Sequence, residues 1–186
     1  MKKLSPLMII LGVGAVLLLW VWSSYNGLIT ERELVNESWA QVETQYQRRF
    51  DLVPNLVSTV KGAAAFEQET FMGVTEARTK WLNAGSRGEQ IQAAEGFESA
   101  FARLLVTVES YPQLKATAAF QDLMTQLEGT ENRVATARRD YNASVRSFNL
   151  RVKRFPGNLL AGVFGFSEEA FFQSAEGSEE APTVEF

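Results

Sequence analysis

Nineteen consecutive residues, Leu4 to Trp22, carry no charge, and Lys2 and Lys3 precede them. At a rise of 1.5 Å per residue this run makes about 28 Å of helix, close to the ~30 Å hydrocarbon core of a bilayer. Ser5–Pro6 reads as an N-cap and first helical position. Trp20, Trp22 and Tyr25 fall where an interfacial aromatic belt belongs. A cleaved signal peptide is the competing reading. Its apolar region is shorter and is followed by an A-x-A-like cleavage site, which Trp20-Val21-Trp22-Ser23-Ser24 does not offer. Residues 1–25 are therefore expected to form an uncleaved single-pass transmembrane anchor. No basic residue follows before Arg32, so the positive-inside rule predicts an amino terminus inside and residues 26–186 outside the cytoplasm.

Beyond the anchor, apolar residues recur every three or four positions, the signature of amphipathic helices. One run comprises Leu28, Val35, Trp39, Val42, Tyr46 and Phe50. A second extends from Val53 and Leu56 through Val60, Ala64 and Phe71 to Val74, Ala77 and Trp81. The third runs from Ile91 to Tyr111 and the fourth from Phe120 to Val152. Breaks fall between them. Asp51 can cap the second helix, with Pro54 in its first turn. Asn83 to Gly88 is a turn cluster, and both Tyr111–Pro112 and Phe155–Pro156 stop a helix. The spacing predicts an all-α chain: the transmembrane helix, then an antiparallel four-helix bundle with long, coiled-coil-like helices over 26–155. Residues 156–186 would be an aromatic and Gly-rich segment followed by a flexible acidic tail beyond about Ala175. In this topology the corners at Arg48–Asn55 and Tyr111–Ala116 meet at the tip farthest from the membrane. If Pro54 merely kinks one long helix, that geometry fails.

Composition narrows the chemistry. The chain has no Cys and no His. Disulfides, thiolate or imidazole metal sites, and triads built on those residues are excluded. Residues 26–186 carry 16 basic and 22 acidic groups, which speaks against a nucleic-acid partner.

Three groups of residues are candidates for function. Arg48, Arg49, Asp51 and Asn55, with Tyr111 and Lys115, would form an interaction surface at the tip; capping and dipole compensation explain the same residues structurally. Glu128, Glu131, Asn132 and Arg133 interrupt the fourth apolar stripe and read as a structural ionic network. A paired-carboxylate acid/base site at Glu128 and Glu131 would need a pocket and shifted pKa values that sequence does not supply. Finally, Arg133 to Arg154 holds seven Lys or Arg against one acid, Asp140. Arg146, Arg151, Lys153 and Arg154, with Phe164 and Phe166, are candidates for lipid contact. A solvated basic face is the alternative. Phe155 to Phe172 either caps the bundle core or lies on the bilayer.

Several motifs together resemble the LemA family of bacterial membrane-anchored helical proteins. They are Trp39-Ala40 with Gln45 and Arg48-Arg49, Asp51-Leu52-Val53-Pro54-Asn55-Leu56-Val57, and Val60-Lys61-Gly62. Tyr111-Pro112-Gln113-Leu114-Lys115-Ala116 and Leu127-Glu128-Gly129-Thr130-Glu131-Asn132-Arg133 follow, with Phe155-Pro156 and Gly165-Phe166 at the end. The resemblance implies a single-pass protein of the bacterial cytoplasmic (inner) membrane, with no established reaction and no cofactor. A magnetosome-associated member implies links to membrane organisation. The expectation is a non-enzymatic bundle that self-assembles as a homo-oligomer and organises membrane lipid and envelope protein partners. The alternative is an adaptor or sensor presenting its distal tip to another envelope protein.

Overall fold

In the computed structural model, residues 6–61 and 68–173 are described. Lys2, Lys3, Ser5, Gly62, Ala64 and the acidic tail beyond Ala175 lie outside the described residues, as do the side chains of Val60, Lys61 and Phe71. The described chain is helical: α1 (Pro6–Lys61), α2 (Gln68–Asn83), α3 (Arg87–Glu109), α4 (Pro112–Lys115), α5 (Ala118–Lys153) and α6 (Gly157–Phe164). The all-α fold with one apolar N-terminal helix and several packed helices follows the hydrophobic spacing. The count differs, with six helices among the described residues in place of an anchor and four.

The main correction is at Arg48–Asn55. No corner exists there, because α1 continues through Pro54 to Lys61. A helix-interior proline costs about 3 kcal/mol through a lost hydrogen bond and a steric clash. Phe50, Val53 and Leu56 flank it and are all buried. Each such side chain contributes roughly 1.5–3 kcal/mol on burial, so together they outweigh the proline. Asp51 is then no cap; it is exposed and accepts a hydrogen bond from the Gln47 side chain at 2.9 Å.

The other breaks fall where expected. α2 and α3 pack on each other through the turn at 84–86. Ser86 caps α3 by accepting from the Glu89 N–H, while the Glu89 carboxylate accepts from the Gly85 N–H at 2.7 Å. The first bond satisfies a donor that the helix start leaves open, and the second ties the residue before the cap to the first turn. Pro112 opens the single turn α4. α5 ends at Lys153, and α6 closes on Gly165, whose φ of 74° is the left-handed conformation that glycine adopts without a Cβ penalty.

The chain forms two compact units, to both of which α1 and α5 contribute. The first comprises the described residues up to Val42 with Arg139–Glu169. Its core holds Leu28, Val35, Trp39 and Val42 of α1 against Tyr141, Val145 and Phe148 of α5, closed by Leu160, Ala161 and Phe166. Trp39 and Tyr141 meet edge to face at 5.1 Å. The Asn149 side chain donates to the Glu169 carbonyl and accepts from its N–H, both at 2.9 Å, which ties the segment after α6 to α5.

The second unit comprises Glu43–Arg138 with the described residues from Ala170. An aromatic cluster centres it. Tyr46 stacks on Trp81 at 4.5 Å and Phe50 meets Phe97 edge-on at 4.9 Å. Leu56, Leu104, Leu127 and Val134 extend this core.

Candidate functional site

The second unit buries charge. Arg49 is 2% exposed and enters the core at the α1 position between Tyr46 and Val53 on the apolar stripe. Its Nη1 donates to both Glu98 oxygens at 2.9 Å, and its Nη2 pairs with Glu131 at 2.7 Å. The guanidinium lies over the Phe101 ring at 4.7 Å and near that of Phe97 at 5.6 Å. Arg138 of α5 reaches the same Glu98 at 3.0 Å, donates to the Tyr46 hydroxyl, and stacks over Tyr46 and Phe172. One carboxylate therefore collects two guanidiniums and, at 3.3 Å, the Tyr46 hydroxyl.

Burial pushes the Glu98 carboxyl above its ordinary value, against the opposing pull of Arg49 and then Arg138. Burial likewise pushes the Tyr46 phenol up, so it stays neutral and available as a donor. Among the described residues, the Nε atoms of Arg49 and Arg138 have no hydrogen-bond partner. The arrangement suits fixing helix register: a buried ion pair adds little net stability over apolar packing but penalises any misalignment.

The residues expected at a tip divide. Arg49 belongs to this buried network and not to an accessible surface. Arg48, Asp51, Asn55 and Lys115 are exposed and Tyr111 is half-buried. Of the residues expected to form an ionic network, Glu131 takes part through Arg49, whereas Glu128, Asn132 and Arg133 are exposed. Sequence reasoning missed Glu98, Arg138 and Tyr46 as network members. A signal was present, since Arg49, Glu98 and Arg138 each occupy a three-or-four-residue step of an apolar stripe: 46–49–53, 94–98–101 and 134–138–141.

In the first unit, the basic end of α5 is partly committed. Arg151 donates to the Gly27 carbonyl at 2.8 Å and lies 3.7 Å from Glu31; Lys153 pairs with Glu168 at 2.7 Å. Arg146 and Arg154 are exposed. Phe166 is 8% exposed, packed against Tyr25, Phe148 and Arg32, which makes it a core side chain and removes it from any lipid-facing set. Phe164 is exposed and touches Tyr25 at 4.8 Å. The segment from Phe155 to Phe172 thus supplies core residues (Leu160, Ala161, Phe166 and Phe172) and exposed apolar ones (Phe155, Leu159 and Val163). Among the described residues no cluster of three or more Asp or Glu side chains is placed to hold a metal ion.

A sequence model of the LemA family matches residues 38–186, most of the chain. The chain belongs to the LemA family. Magnetosome protein MamQ 2 of Paramagnetospirillum magneticum is 31% identical over 175 residues, covering 80% of this chain and 64% of that protein. Magnetosome protein MamQ of Magnetospirillum gryphiswaldense is 28% identical, with the same coverage. Protein LemA of Metamycoplasma hominis is 24% identical over 171 residues, 91% of this chain and 78% of that one. This LemA-family chain spans 64% of the length of the magnetosome relatives. Family membership fits the apolar start of α1, which is long and apolar enough to cross a membrane and has none of its most apolar stretch buried. The chain is a membrane protein, with one transmembrane-like helix among the described residues.

Proposed function

We propose that this LemA-family chain is a non-enzymatic, membrane-anchored helical module that self-assembles and thereby organises membrane and envelope partners. The observation that carries this reading is α1. Its exposed apolar start continues without interruption into Val35, Val42, Phe50 and Leu56, which are buried among packed helices. An anchor that is also a core element couples the packed helices to the membrane without a flexible linker. Two relatives named as magnetosome proteins are consistent with a role in organising membrane. In this reading the amino terminus is inside and the helical units are outside the cytoplasm, with residues 1–25 as anchor, 26–155 as the helical domain and 156–186 as its closing segment.

Size-exclusion chromatography with light scattering in mild detergent, followed by imaging of liposomes carrying the chain, tests it. The expected result is an oligomer that alters or clusters liposomes. A strict monomer that leaves liposomes unchanged overturns the proposal. The adaptor alternative loses the corner at Arg48–Asn55 on which its distal tip depended.

A further inference from the structure

The first unit contains a cleft of about 400 Å³ at the point where α1 leaves its apolar run. Trp20, Ser24, Leu28 and Glu31 line it from one face of α1, at steps of four, four and three. Ser147, Leu150 and Arg151 line it from one face of α5, and Arg154, just past the end of that helix, closes it with Phe155, Pro156 and Gly157. Trp20 lies near the end of the strongly apolar run that closes at Trp22, while Ser24 to Glu31 follow the first polar residues after it. For a helix that spans a bilayer, this places the cleft at headgroup depth.

Two charges in the cleft are already matched, because Arg151 is held by the Gly27 carbonyl and lies near Glu31. Arg154 is exposed and, among the described residues, has no ion-pair partner. A second, independent observation concerns apolar surface. Phe155, adjacent to Arg154 and also lining the cleft, is 80% exposed, and Val163 of α6 is 78% exposed. Exposed large apolar side chains beside a cation are costly in water and suited to the boundary between headgroups and acyl chains.

We infer that this cleft is a binding site for the headgroup of one anionic phospholipid. Arg154 takes the phosphate, the hydroxyls of Ser24 and Ser147 are its neutral donors, and Phe155 lies among the acyl chains beside the exposed apolar face of α1. Arg151 neutralises Glu31 and so keeps the cleft open to an anion. The inference rests on the membrane-anchored reading above, and narrows lipid contact from a broad basic stretch to one residue and one turn.

Native mass spectrometry of the full chain in detergent, with phosphatidylglycerol or phosphatidylcholine added, tests the site. The expected result is one retained phosphatidylglycerol per chain, preferred about fivefold, the factor one basic residue gives near an anionic headgroup. Arg154→Gln should abolish the preference and Lys153→Gln, whose lysine already pairs with Glu168, should keep it. Phe155→Ser should lower retention of phosphatidylglycerol while circular dichroism shows unchanged helicity, which covers the case in which Arg154→Gln perturbs folding. Equal loss in the Arg154 and Lys153 variants overturns the site in favour of diffuse charge attraction. Displacement of phosphatidylglycerol by inorganic phosphate overturns the lipid assignment. Flotation with neutral phosphatidylcholine vesicles separates this site from the reading beneath it. A chain that does not float overturns both; one that floats yet retains both lipids equally overturns the site alone.

Discussion

Two stretches of α1 invert the usual rule of polarity in opposite directions. From Leu7 to Leu19 the helix turns leucines, isoleucines and valines outward. From Tyr46 to Leu56 it carries an arginine inward and closes phenylalanine, valine and leucine around it. The first inversion is a statement about environment, because an apolar helix with an exposed surface matches a non-aqueous solvent. The second is a statement about partners. A guanidinium is tolerated inside only where carboxylates and ring faces meet it, and here Glu98, Glu131, Phe97 and Phe101 do so. Hydropathy alone reads the first stretch correctly and misreads the second.

The comparison breaks most directly at Arg49. Arg49→Met leaves the half-buried Glu98 with one guanidinium in place of two, and the expected loss is about 3 kcal/mol. Guanidinium unfolding of the full chain in detergent, followed by circular dichroism, measures it. A loss below about 1 kcal/mol would show that the network behaves like surface ion pairs.

The first unit is sharpened by Gly157. A Cβ there would meet the Arg151 carbonyl oxygen at 2.6 Å, and backbone cannot move aside as a side chain can. Gly157→Ala should cost about 1–3 kcal/mol in the same unfolding assay. At Gly27 the atoms nearest an added Cβ are the flexible end of Arg151, so Gly27→Ala should cost less. Equal losses would mean that the turn after α5 relaxes as readily as an arginine tip.

What the sequence made legible was whatever depends on neighbouring residues. The uncharged run, the turn at 83–88 and the prolines at 112 and 156 act within a few positions, and each appears where local rules put it. The supposed corner at Arg48–Asn55 failed because Pro54, Asp51 and two arginines are local break signals. The burial of Phe50, Val53 and Leu56 that overrides them depends on the whole core. The same limit hid the network: Arg49 and Glu98 are 49 positions apart, and no local rule joins them. Charges at core steps of three apolar stripes were the readable trace, since three helices placing a charge where a leucine belongs must satisfy those charges together. The cleft at Arg154 had only a partial trace in the basic stretch. Which of its cations stays unpaired depends on Gly27, Glu31 and Glu168.

A smaller effect of opposite sign comes from α3. Gly96 lies inside that helix, exposed, with open space where a Cβ would stand. Gly96→Ala should stabilise by about 0.5–1 kcal/mol, the propensity difference alone. Thermal unfolding measures it. A destabilisation would show that this face is covered in the assembled protein, and would itself locate a self-association surface.

The smallest expected effect is a pH dependence at Glu98, the carboxylate that receives the inward arginine. Glu98 has its carboxyl raised from 4.5 chiefly by burial, so the folded chain holds a proton at this position more readily than the unfolded chain. Its contribution to stability is complete below pH 4.5 and is lost as pH rises through the folded value. Acidification from neutral pH should therefore favour folding at this one site, whereas a carboxylate with a depressed folded value would do the reverse. Other acids titrate in the same window, so the quantity to measure is the difference between the wild type and Glu98→Gln. The glutamine keeps a neutral acceptor and donor between Arg49 and Arg138 but cannot change charge. Unfolding at several values between pH 7 and pH 4.5 should show the wild type gaining stability relative to the variant as pH falls. The opposite slope would mean that the two guanidiniums outweigh burial and hold the Glu98 carboxyl below its ordinary value.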